Sequence, residues 1–65
     1  MSTTAAAELG AAADAISGYQ RRVAELVGPG LGPDRDDLVA AIYEAERSLR
    51  TAARLLDRAR KIAEH

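Results

Sequence analysis

Apolar side chains recur along the first part of the chain at Leu9, Ala12, Ile16, Tyr19, Val23 and Leu26. The spacing alternates between three and four residues, which is a heptad seam and not the alternation of a strand. It predicts a helix from about Ala5 to Val27, with Thr4 placed to cap its first amides. Gly10 and Gly18 lie off the seam and each costs about 1 kcal/mol relative to Ala in a helix interior, so this helix needs packing to persist. A second seam follows at Leu38, Ile42, Ala45, Leu49, Ala52, Leu56, Ala59 and Ala63 and predicts a helix from about Arg35 to Ala63. The neighbouring row, Ala41, Ser48, Leu55 and Ile62, is also largely apolar, so the apolar face of this helix is wide.

Between the two seams lies Gly28-Pro29-Gly30-Leu31-Gly32-Pro33. Gly28 suits the left-handed residue after a helix end, and Pro29 prevents continuation. Leu31 is placed to cover the end of the helix pair. Asp34 is placed as N-cap of the second helix, with Asp36 and Asp37 near the positive end of its dipole. The glycines lack both the GK[ST] ending of a phosphate-binding loop and a preceding strand, so the segment reads as a hairpin turn. A short connection makes consecutive helices antiparallel neighbours.

Folding the chain at the middle of that loop sets Val23 against Leu38, Tyr19 against Ile42, Ile16 against Ala45, Ala12 against Leu49, Leu9 against Ala52 and Ala5 against Leu56. Large residues meet small ones from Ile16 onward, as close packing favours. The same register brings Glu8 and Asp14 beside Arg54 and Arg47, and Arg21 and Arg22 near Glu44 and Glu46. It also leaves about two turns of the second helix, with Ala59, Ile62 and Ala63, beyond the first.

The expected fold is therefore all-α: an antiparallel two-helix hairpin forming one domain over residues 1–65, with the wide face of its second helix covered by a neighbour. A homodimeric four-helix bundle is the simplest completion, since twofold homodimers are the commonest assemblies. Its expected interface comprises Leu49, Ala52, Leu55, Leu56, Ala59 and Ile62. Asp34 to Glu46 is mainly acidic and Arg47 to Lys61 mainly basic. Antiparallel pairing of this helix with its mate, about an axis near Leu49 to Ala52, crosses acid with base. The same asymmetry also complements the helix dipole. Helices of a different protein are the alternative cover.

Length makes a partner more pressing. A chain of 65 residues buries too little surface to be comfortably stable alone, and without cysteine it has neither disulfides nor thiolate metal ligands. The one His is His65, and no Ser has a candidate base, so catalytic, metal and cofactor residues are all expected to be absent. Net charge is −1, which gives no general field for nucleic acid or anionic membranes. A basic stripe, Arg47, Arg50, Arg54, Arg58 and Lys61, has the spacing to follow a phosphate backbone, but no aromatic interleaves it and the acidic half of the same helix opposes a duplex. It is expected to be a solvated face, with a nucleic-acid accessory role as the alternative. Neither a membrane span nor a signal peptide is expected, which makes the cytoplasm the default compartment. In topology the hairpin resembles the small actinobacterial secreted WXG-type hairpins. The chain has no Trp, however, its loop holds Gly28-Pro29-Gly30, and Arg47 stands where their Tyr-x-x-x-Asp/Glu signal would need an acid after Tyr43. No role is carried over from them.

Overall fold

A computed structural model of the chain describes residues 2–28, 31, 32 and 34–65. It contains two helices, α1 (Ser2–Ala24) and α2 (Asp36–Ala63), packed against each other along their lengths, with no strand among the described residues. Ala-rich composition and scarce β-branched residues favour helix throughout. The molecule is a thin slab, with Cα extents of 51 × 15 × 9 Å. No helix of the described residues is long and apolar enough to cross a membrane.

Both ends of the connection differ from expectation. Helix α1 begins at Ser2, so Thr4 lies inside it and is not its cap. It ends at Ala24, three residues before Val27, and unwinds through tighter turns in which the Leu26 and Val27 amides donate to the carbonyls of Val23 and Ala24. Gly28 does not take the left-handed conformation; Gly32 does, at φ 80°. Asp34 does not cap α2, because it lies at φ 61° and the N-cap position belongs to Arg35, which makes no side-chain cap bond. Instead the Asp37 carboxylate accepts from the Leu38 amide at 2.7 Å. Leu31 is half-buried, its amide donating to the Gly28 carbonyl. Pro29, Gly30 and Pro33, assigned above to the turn, lie outside the described residues.

The helices also meet on different rows. On α1 the covered row is Ala6, Leu9, Ala13, Ile16, Gln20 and Val23, continued past the helix end by Val27, with Ala12 also half-buried, whereas Tyr19 and Leu26 are more than half exposed. On α2 the covered row is Val39, Ile42, Glu46, Leu49, Ala53, Leu56, Arg60 and Ala63, with Leu38, Ala52 and Ala59 also half-buried beside it, whereas Ala45 is exposed. Leu9, Ile16 and Val23, and Ile42, Leu49, Leu56 and Ala63, are thus placed inward as expected. Each helix, however, is turned about its axis by half a seam.

The stagger is different too. A Cβ on Gly10 would lie 3.1 Å from Cδ of Arg60, and Arg60 and Glu64 line one groove with Ala6, Gly10 and Asp14. The expected register puts Gly10 opposite Thr51, about 13 Å along the axis from Arg60. That register is therefore excluded, and with it the proposed large-on-small pairs, the overhang of α2 and the four cross-helix ion pairs. Of the heptad-spaced registers open to the observed rows, the one that brings Gly10 to Arg60 sets Ala13 level with Leu56, Ile16 with Ala53, Gln20 with Leu49 and Val23 with Glu46. Among the described residues the ion pairs lie within α2: Arg60 to Asp57 at 2.8 Å, Arg60 to Glu64 at 2.8 Å and Lys61 to Asp57 at 3.4 Å.

Candidate functional site: an uncharged broad face

Turning the helices exposes part of what was expected to be inside: Ala5, Tyr19, Leu26 and Ala45 are exposed, and Ala12, Leu38, Ala52 and Ala59 are half-buried. One residue before each contact position of α1 comes the row Ala5, Ala12, Tyr19 and Leu26. One residue before the matching positions of α2 comes Leu38, Ala45, Ala52 and Ala59. In an antiparallel pair, stepping back one residue turns both helices toward the same side, because reversed direction and opposite position cancel. Both rows therefore open on one broad face of the slab.

The adjoining row of α2 extends that face outward. With it, α2 presents Leu38, Ala41, Ala45, Ser48, Ala52, Leu55, Ala59 and Ile62, again at spacings of three and four, with no charged residue over 25 positions. Along this second seam Ala41, Ala45, Ser48, Leu55 and Ile62 are exposed, and Leu38, Ala52 and Ala59 are half-buried at its inner margin. Among the described residues, Tyr19, Leu26, Leu55 and Ile62 are four of the five large hydrophobic side chains left exposed, between 48% for Leu55 and 65% for Ile62. The fifth, Tyr43, is on the opposite face. Charged residues border the apolar face at Glu8 and Arg22 in the outer row of α1 and at Glu44 and Arg58 along the outer edge of α2. The Arg22 guanidinium lies 5.4 Å from the centroid of the Tyr19 ring, close enough to interact with its electron-rich face.

The six residues expected at an interface thus fall into two groups. Leu49 and Leu56 are half-buried against α1. Leu55 and Ile62 are exposed on the second seam, with Ala52 and Ala59 half-buried at its inner margin, and Leu38, Ala45, Tyr19 and Leu26, expected in the hairpin interior, share that face.

The opposite broad face is polar. Arg47, Arg50, Arg54 and Lys61 lie there, Arg58 lies at the outer edge, and all five are exposed. Asp14 and Asp57 break the stripe. Asp57 is held below its ordinary carboxylate pKa first by the hydrogen bond from Arg60 and then by that from Lys61. Arg60, at 29% side-chain exposure, is raised by its bond to Asp57 and spans Asp57 and Glu64, so its donors are already engaged. No group of three His, Cys, Asp or Glu side chains among the described residues is placed to hold a metal ion. Comparison with protein-family models, curated proteins and solved structures finds no match.

Proposed function

We propose that this chain is a non-enzymatic assembly module that associates with a second copy of itself into a four-helix bundle. The uncharged second seam of α2 carries the reading. An apolar stripe that wide belongs to a helix covered on two sides, and α1 covers only one.

The surface area supports it. The chain exposes 4891 Å². A compact protein of 6.9 kDa exposes roughly 4,000 Å². The excess, about 900 Å², is close to the ~800 Å² that each partner contributes to an interface of ordinary size. The interior agrees: among the described residues the buried apolar ones are Ala6, Ala13 and Ile42, two of them alanines. So small a core leaves the hairpin dependent on further burial. Helices of another protein are the alternative cover, and a monomeric, incompletely folded chain would favour them.

Leu55 lies near the middle of the seam, and Leu55→Glu places a charge there in each copy. Losing burial worth about 1.5–3 kcal/mol on each side should weaken association at least 100-fold. Light scattering should then give the mass of a single chain. Arg54→Glu, on the polar face, should leave the mass of the wild-type assembly unchanged. Self-association through this face is refuted if Leu55→Glu retains the wild-type mass or if Arg54→Glu loses it.

A further inference from the structure

We infer that the second copy docks with its α2 antiparallel on α2, about a twofold axis passing between the two Tyr19 side chains. This rests on the self-association proposed above and adds its geometry.

The open seam of α2 consists of two rows, and antiparallel self-pairing must set one row against the other. One register uses the whole seam. It sets Leu38 against Ile62 of the partner subunit, Ala41 against the partner's Ala59, Ala45 against the partner's Leu55 and Ser48 against the partner's Ala52. Sliding by one heptad in either direction strips a pair from the end of the seam and leaves Leu38 or Ile62 in water. The full register centres the axis level with Arg50. It also brings Glu44, on the flank of the seam, level with the partner's Arg58, and by symmetry the same pair forms twice. Parallel pairing would instead leave Glu44 and Arg58 about 21 Å apart along the axis, so only the antiparallel arrangement forms this pair.

The position of α1 was not used in that construction, yet it agrees. The stagger fixed by Gly10 and Arg60 sets Tyr19 level with Arg50 of α2. Tyr19 therefore arrives on the axis, facing the partner's Tyr19, and Ala12 comes level with the partner's Leu26. Two tyrosines meeting on the axis make an aromatic pair at the centre of the α1 side. The other twofold arrangement, with the axis parallel to the helices, would lay each α2 seam on an α1. It would then set Glu8 and Arg22 along both seams. Pairing α2 with α2 confines those charges to the α1 side and keeps the other side dry.

The chain has no cysteine, so single cysteines report the axis directly. Tyr19→Cys should cross-link to its mate on oxidation or with a short bis-maleimide at least tenfold faster than Leu26→Cys, whose mates would stand about 21 Å apart along the bundle. Both positions are more than half exposed in the hairpin, and circular dichroism checks that each variant keeps its helicity. A second pair on α2 keeps the test independent of Tyr19. Ala52→Cys, about 6 Å along the axis from its mate, should cross-link readily, and Ala59→Cys, about 27 Å away, should not. If the wild-type chain is dimeric but cross-linking is no faster at 19 than at 26, or at 52 than at 59, the arrangement is overturned and self-association stands. A wild-type chain that stays monomeric overturns both.

Discussion

Tyr19 and Ala13 compete for one place. Either can stand beside Ile16 in a seam at heptad spacing, since the rows on both sides of Leu9, Ile16 and Val23 contain alanine. The choice falls to size. With Ala6 and Ala13 inward, and Gly10 and Ser17 beside them, the helix backbones approach closely, whereas an inward Tyr19 would hold them apart. The same rotation takes the charged Glu46 inward, to 6% exposure, and no buried side-chain polar atom among the described residues is left unpaired. The glycines supply a test at this scale. A Cβ on Gly18 meets nothing within 4 Å, so Gly18→Ala should stabilise the protein by about 1 kcal/mol in urea unfolding. Gly10→Ala should gain less, because its Cβ must displace the flexible Arg60 side chain by a few tenths of an ångström. Equal gains, or a larger gain at Gly10, would contradict the close approach of Arg60.

Both helices were legible in the sequence, and so was the inward row of each. The rotation and stagger were not. In a chain this rich in alanine, apolar periodicity leaves the direction of a face ambiguous by half a seam. The stagger had been set by assuming a tight symmetric turn, whereas the connection runs from Glu25 to Arg35 and shifts the helices by about a heptad. For the same reason the ion pairs expected between the helices do not form, and those among the described residues join Asp57, Arg60, Lys61 and Glu64 within α2. These make the last turns of α2 sensitive to pH. The folded pKa of Asp57 is below its ordinary value of 3.8. Its contribution is therefore complete above that value and is lost as pH falls through the lower folded one. Helicity at the end of α2 should decline across that acidic range by circular dichroism, and Asp57→Asn should remove that part of the decline. Identical acid profiles for the two proteins would show that the Asp57 bridges contribute nothing.

At the scale of the whole molecule, the hairpin resembles half of a larger object. Its radius of gyration is 15.3 Å. A compact domain of this length has about 11 Å. One broad face is charged, the other carries an apolar seam, and of the buried apolar residues described two, Ala6 and Ala13, are alanines. Length and composition raise the expectation of a partner, and the surface proposed to meet it follows from how the helices are turned. Sedimentation equilibrium of the wild-type chain over a range of concentrations tests the central claim most directly. The account predicts a species of twice 6.9 kDa that dissociates on dilution with loss of helicity. A fully helical species of 6.9 kDa at every concentration would contradict it.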